Sequence, residues 1–101
     1  MIRHIEMIKI NEVVDGKFRA EQLDELKGTI DAIVQGTEGV VDYTLSTRSE
    51  SLDPMDADLM LMIDFENAAA VDEYELDIDR ITTYLEISQN AVAMLVYDYE
   101  V

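Results

Sequence analysis

Alternating apolar residues between Asp58 and Glu66 predict a β-strand with apolar side chains on both faces. One face carries Leu59, Leu61, Ile63 and Phe65, and the other carries Met60 and Met62. A strand that is apolar on both faces is covered on both sides, so this segment is predicted to be a central strand.

Three more segments alternate in the same way: residues 2–10, 40–48 and 91–100. On the first of them, the face with Ile2, Ile8 and Ile10 also carries His4 and Glu6. The last is rich in β-branched and aromatic residues, which favour strands.

Two segments show the three-to-four residue spacing of an amphipathic helix. The first runs from about Phe18 to Gly36, a glycine suited to a left-handed helix end, with Gly28 inside it. Its apolar stripe is Leu23, Leu26, Ile30, Ile33 and Val34. The second follows the N-cap residue Asn67 and is predicted to continue straight from Ala68 to about Ile87. Its stripe is Val71, Tyr74, Ile78, Ile81 and Leu85.

The order strand, helix, strand, strand, helix, strand predicts a single α+β domain over residues 1–101 with a ferredoxin-like antiparallel sheet and two helices on one face. The other sheet face is then too apolar for water, and a second copy packed sheet against sheet would cover it. The residues assigned to that face are Ile5, Met7, Val41, Tyr43 and Leu45.

The charge balance is strongly acidic: 23 Asp and Glu face 7 Lys and Arg in 101 residues, a net charge of −16. Such a chain repels nucleic acid and anionic membranes, so neither is predicted as a partner. A solvated acidic coat explains the charge best, and a basic partner or a saline cytoplasm remains open. The chain has no cysteine, no apolar run of membrane-spanning length and no signal-peptide pattern, so a cytoplasmic location is expected.

Several short segments together resemble the stress-responsive A/B barrel (Dabb) family. They are Met1-Ile-Arg-His-Ile5, Gly39-Val40, Asp58-Leu-Met-Leu with Asp-Phe-Glu66, Val71-Asp-Glu-Tyr74 and Asp98-Tyr-Glu100. The resemblance implies a homodimer in which two sheets close into a dimeric α+β barrel. It also implies a function among small ligand-binding and monooxygenase-like proteins, or that of a polyketide cyclase with a cleft between sheet and helices.

The resemblance assigns a histidine of the first strand to His4 and a cyclase tyrosine to Tyr74, but the family's His-Pro-x-His segment reads Asp77-Ile-Asp-Arg80 here. His4 is the only histidine, so a general base on the helix is missing. Without the proline the helix is predicted to stay straight, and Arg80 would lie roughly 240° around the axis from Tyr74, away from the cleft. The cleft would then be core, filled by Tyr74, Ile78 and Ile81.

Glu6 is the residue that suits an apolar core least, because a lone buried carboxylate shifts its pKa or finds a partner. His4, Glu6 and Tyr74 are therefore the predicted ligand-binding residues, with His4 as donor or base, Tyr74 as hydroxyl donor and Glu6 orienting His4. The alternative is that Glu6 and His4 satisfy each other in a filled core, or that the strand end admits water to Glu6.

No cofactor and no metal site are predicted. The acidic group Asp53, Asp56 and Asp58 lacks the glycine and glutamate of a calcium loop and is expected to be solvated. No hydrolytic triad or phosphate loop can be assembled. The predicted function is binding of an apolar small molecule. The alternatives are a cofactor-independent cyclase-like or monooxygenase-like enzyme and a structural dimer without a ligand.

Overall fold

The computed structural model describes residues 1–11, 13–14, 17–48 and 57–101. Their helices and strands, in chain order, are β1 (Ile2–Ile10), β2 (Val13–Val14), β3 (Lys17–Phe18), α1 (Arg19–Gln35), β4 (Val40–Thr47), β5 (Leu59–Phe65), α2 (Ala68–Leu76), α3 (Ile78–Asn90) and β6 (Ala91–Glu100). The dipeptide Asp15-Gly16, whose sequence predicts a turn, and residues 49–56, whose serine, acidic residues and proline predict an exposed loop, lie outside the described residues.

The main sheet has four antiparallel strands in the order β4-β5-β1-β6, and β2 and β3 form a separate two-stranded ribbon. The predicted ferredoxin-like α+β fold is confirmed. β1 lies in the interior of the sheet, so that His4 is opposite Ile63 of β5 on one side and Asp98 of β6 on the other.

One face of the sheet packs against the helices and forms the core. The predicted faces of β1 and β5 are confirmed. Every second residue is buried from His4 to Ile10 in β1 and from Leu59 to Phe65 in β5. The fully buried members of this core are Ile8, Ile30, Val34, Leu59, Leu61, Ile63, Phe65 and Tyr74.

The predicted faces of β4 are wrong, because the register shifts between Val40 and Asp42. Tyr43 pairs with Ile63 beyond the shift and therefore faces the helices. Its hydroxyl donates to Asp31 of α1 at 3.1 Å. Leu45 packs against the same core, and Val41 at the irregularity is exposed.

The opposite face of the sheet, the open face, remains strongly apolar without Tyr43 and Leu45. On it Ile5 lies between Met62 and Tyr97, and Met7 lies between Met60 and Leu95. Leu95 and Tyr97 are 68% and 66% exposed. The open face therefore still needs a partner surface.

The predicted straight second helix is wrong, because the chain breaks into α2 and α3 at Asp77. Asp77 has φ −62° and ψ 126°, and its carboxylate accepts a hydrogen bond from the backbone N–H of Arg80 at 3.0 Å. Aspartate is a strong N-cap residue, so it starts a new helix without a proline. The predicted stripe changes with the break: Ile78 and Leu85 are 77% and 61% exposed, whereas Tyr84 and Ile87 are buried.

The two helix ends predicted from capping residues have opposite outcomes. Asn67 caps α2 as predicted, accepting from the backbone N–H of Ala70 at 2.9 Å. α1 ends at Gln35, next to Gly36 as predicted, but among the described glycines the left-handed one is Gly39, with φ +83°, and not Gly36. A β-carbon on Gly39 would also lie 2.6 Å from that of Ala70. Both the positive φ and this close contact therefore exclude a side chain at position 39. Among the described residues, no helix has the length and apolar character needed to cross a membrane.

Candidate functional site

The three predicted site residues meet between the sheet and the helices. His4 and Glu6 project from the helix-facing side of β1, and Tyr74 reaches them from α2; each is at most 1% exposed. The Tyr74 hydroxyl donates to Glu6 Oε2 at 2.9 Å. His4 Nε2 lies 3.1 Å from the same oxygen, an ion-pair distance outside the geometry of a directed hydrogen bond.

Two further residues of this cluster come from α3 and were missed from the sequence. Arg80 Nη2 donates to Glu6 Oε1 at 3.4 Å, so the predicted outward direction of Arg80 is wrong. Its guanidinium lies over two rings, with Cζ 4.5 Å from the centroid of Tyr74 and 4.4 Å from that of Tyr84. Because Tyr74 gives its proton to Glu6, Tyr84 is the donor in the 3.4 Å contact between the two hydroxyls.

Asp98 completes the cluster at the sheet edge. Its Oδ1 lies 2.5 Å from His4 Nδ1, and its side chain is 37% exposed. The sequence of β6 contains a signal that could have identified Asp98. If β6 pairs with β1 in antiparallel orientation, one polar residue of β6 lies opposite His4.

The charges of the cluster shift its titrating groups. Burial lowers the pKa of His4, but Glu6 and Asp98 outweigh burial and raise that pKa above its ordinary 6.5. Burial likewise opposes the net shift at Glu6, whose pKa falls below 4.5 because of His4, Arg80 and Tyr74. Burial and the charge of Glu6 raise the pKa of Tyr74 to about 12. Near neutral pH the tyrosine is therefore a hydroxyl donor and Glu6 a carboxylate.

Aromatic rings surround these polar groups. The His4 ring lies edge-on to Phe65 and Tyr74, with centroids 6.1 and 5.5 Å away, and Phe65 lies 5.3 Å from Tyr74. The arrangement offers a carboxylate acceptor and hydroxyl, imidazole and guanidinium donors within an apolar layer. His4 and Glu6 already pair with each other, and ligand binding by His4, Glu6 and Tyr74 stays a prediction.

The predicted acidic loop group is divided by the structure. Asp53 and Asp56 lie outside the described residues, whereas Asp58 is buried and not solvated as expected. Its Oδ2 accepts from the backbone N–H of Ile10 at 2.9 Å, and Arg48 Nη2 donates to Oδ1 at 3.3 Å. Asp58 therefore joins β1 to the end of β4. Among the described residues, one group of possible metal ligands comprises His4, Glu75 and Asp98.

Comparison with known proteins identifies the fold of the chain. No family model and no curated protein matches the sequence. A dimeric protein of unknown function and ferredoxin-like fold from Bacteroides fragilis superposes with a TM-score of 0.81, 15% identity and coverage of 99% of this chain and 95% of the other. A Dabb family protein with a ferredoxin-like fold from Mesorhizobium loti gives a TM-score of 0.75 at 17% identity, covering 99% and 95% of the two chains.

A more distant match in sequence is a variant of SnoaB, a cofactor-independent oxygenase from Streptomyces nogalater. Its TM-score is 0.75 at 8% identity, with 99% of this chain and 91% of the other covered. At such identities the matches establish the fold and no activity. The chain thus has the ferredoxin-like fold of the Dabb proteins, as its sequence motifs predicted.

Proposed function

We propose that the protein is a Dabb-type homodimer that binds an apolar small molecule bearing a hydroxyl group, between the sheet and the helices, at His4, Glu6 and Tyr74. The observation that carries this proposal is the convergence of donors on Glu6, deep in an otherwise apolar layer. A few oriented polar groups among apolar and aromatic walls are the usual composition of a small-molecule site.

The open face supports the homodimer. Two charged residues at its centre, Arg3 and Asp64, neutralise each other, because Arg3 Nε and Nη2 donate to the two carboxylate oxygens at 2.8 and 3.1 Å. The Arg3 guanidinium also lies 5.9 Å from the ring centroid of Tyr99. Pairing these two charges within one chain lowers the electrostatic cost of packing this part of the apolar surface against an identical surface. Several proteins of the same fold are described as dimeric.

The chemistry of the cluster supports the choice of ligand. The Glu6 carboxylate can accept a hydrogen bond from a ligand hydroxyl, because an ionised carboxylate has about four acceptor positions. The rings of Phe65, Tyr74 and Tyr84 can pack against a flat apolar body. The break at Asp77 brings Arg80 and Tyr84 to the cluster, so the second helical segment forms one wall.

Titration with 2-naphthol, whose fluorescence reports binding, tests the proposal. We expect saturable binding to the wild-type dimer in EDTA and affinity about threefold to tenfold weaker for Tyr74→Phe, because the hydrogen bond that holds the Glu6 carboxylate in place for the ligand is lost. Tyr43→Phe is the matched control, because its hydroxyl is also hydrogen-bonded within the helix-facing layer but to α1. No saturable binding, or equal affinities for the two variants, would contradict the proposal and favour a filled structural core.

A cofactor-independent enzyme is the second candidate function. It is supported by the position of His4 between Glu6 and Asp98, which connects the buried carboxylate to a partly exposed one. Oxygen uptake by the EDTA-treated protein with 2-naphthol tests an oxygenase of this kind. Oxygen uptake that depends on His4 would support an oxygenase. Binding of 2-naphthol without oxygen uptake would support ligand binding only.

A further inference from the structure

Three potential metal ligands from different elements converge at the outer end of the cluster. They are His4 of β1, Glu75 of α2 and Asp98 of β6, each offering one donor atom within 4.8 Å of the other two. We propose that this group, the triad, binds a divalent first-row transition metal ion. The proposal is independent of the small-molecule ligand.

The donor set suits such an ion. Imidazole nitrogen together with carboxylate oxygen is a common ligand combination for Zn²⁺, Fe²⁺, Co²⁺ and Mn²⁺, and imidazole disfavours Ca²⁺ and Mg²⁺. Two carboxylates balance the charge of a dication. Three protein ligands also leave at least one coordination position open, as in catalytic sites.

Glu6 supplies the second feature of a metal site. A metal-bound histidine usually directs its other ring nitrogen at a carboxylate, which fixes the ring. In this structure His4 Nδ1 faces Asp98, and Nε2 lies 3.1 Å from Glu6, which Tyr74 holds in turn. A carboxylate thus lies at ion-pair distance on the buried side of the imidazole, and the other ring nitrogen is directed at the triad.

Glu75 places a second exposed carboxylate at the triad. Within the described part of the chain the Glu75 side chain makes no hydrogen bond or ion pair, yet its carboxylate lies within 4.8 Å of that of Asp98. Two carboxylates at this separation repel each other, and a dication bound between them would remove that repulsion. Both side chains are exposed, so an ion can reach the triad from solvent.

Calorimetric titration of the EDTA-treated, dialysed protein with ZnCl₂ tests the triad, with excess CaCl₂ present to occupy surface carboxylates. We expect one Zn²⁺ per chain, and affinity at least about tenfold weaker for Glu75→Gln and for Asp98→Asn. Glu73→Gln is the matched control, because Glu73 is an exposed acid of the same helix outside the triad. Co²⁺ should give visible absorption bands that both triad variants lose.

Melting curves in EDTA show whether each variant is folded; the exposed position of Glu75 makes its substitution the milder one, because Asp98 also pairs with the buried His4. Absence of Zn²⁺ binding would overturn the proposal. Binding that is equal in Glu75→Gln, Asp98→Asn and Glu73→Gln would also overturn it and identify an adventitious ion on the acidic surface only.

Discussion

Arg80 lies over the aromatic ring of Tyr74, with its Cζ 4.5 Å from the ring centroid, although on a straight helix the two side chains would point in different directions. The break at Asp77 makes this contact possible, and it brings the ring of Tyr84 within 4.4 Å of the same Cζ. The cluster around Glu6 therefore depends on one exposed capping residue.

Replacing that cap should destabilise the protein. Asp77→Ala removes the oxygen that accepts from the Arg80 N–H, and we expect the free energy of unfolding to fall by about 1 kcal/mol. Asp77→Asn keeps an equivalent acceptor and serves as control. Urea unfolding measures both; an Asp77→Ala protein as stable as wild type would show that the break does not depend on the cap.

Two glycines should respond oppositely to alanine. A β-carbon on Gly28 meets nothing within 4 Å, so Gly28→Ala should stabilise the protein by about 1 kcal/mol through helix propensity. Gly39→Ala should destabilise it, because φ is +83° and Ala70 lies in the way. Thermal melts of the two variants provide the comparison, and a lower midpoint for Gly28→Ala would contradict the open space described beside α1.

The open face should hold two chains together. Light scattering at micromolar concentration is expected to give twice the chain mass of 11.5 kDa. Leu95→Glu places a charge on the open face and should yield monomers, whereas Leu85→Glu changes an equally exposed leucine of α3 and should remain dimeric. A monomeric wild type, or dissociation by Leu85→Glu alone, would refute sheet-to-sheet pairing.

The His4–Glu6 pair should stabilise the fold most within a defined pH window. The raised pKa of His4 gives stability that is complete below the ordinary histidine value of 6.5 and is lost as pH rises through the folded value. The lowered pKa of Glu6 gives stability that is present above 4.5 and is lost as pH falls through its folded value. His4→Ala should therefore lower the free energy of unfolding by roughly 1–3 kcal/mol, mostly between these two pH values.

That difference is measured by urea unfolding of wild type and His4→Ala in EDTA from pH 3 to pH 8 (about the range where both groups titrate). A difference that is flat across the range would show that the pair is not ionised in the folded protein.

Salt should stabilise the acidic protein at neutral pH. Two chains at −16 each repel across a dimer, and a Debye length of about 10 Å at moderate salt weakens this repulsion. The melting midpoint should rise with sodium chloride at pH 7 and should stop responding near the isoelectric point of about 4.1. A flat or falling midpoint at pH 7 would show that the carboxylates are too widely spaced to matter.

The four strands of the main sheet and three members of the cluster, His4, Glu6 and Tyr74, could be predicted from the sequence. Alternation depends on local side-chain direction, so the faces of β1 and β5 and the approach of His4 to Glu6 could be predicted from the period alone. The faces of β4 could not be predicted in this way, because one irregularity at Val41 reverses the direction of every side chain after it.

Arg80, Tyr84 and Asp98 were missed for a related reason. Asp77 is compatible with a helix interior and with an N-cap, and local sequence does not decide between them. On a straight helix Arg80 points away from the cleft, and Tyr84 lies outside the apolar stripe that faces the core. Asp98 required the pairing of β6 with β1, a contact between chain ends.

The most direct test of ligand binding at Glu6 is the carboxyl ¹³C chemical shift of this residue, followed by NMR while 2-naphthol is added to labelled protein in EDTA. We expect saturable movement of the Glu6 carboxyl and Tyr74 ring signals, with the exposed carboxyl of Glu66 unchanged. A Glu6 signal that stays fixed while naphthol saturates the protein would place binding elsewhere, and no perturbation at all would leave the cluster a structural core.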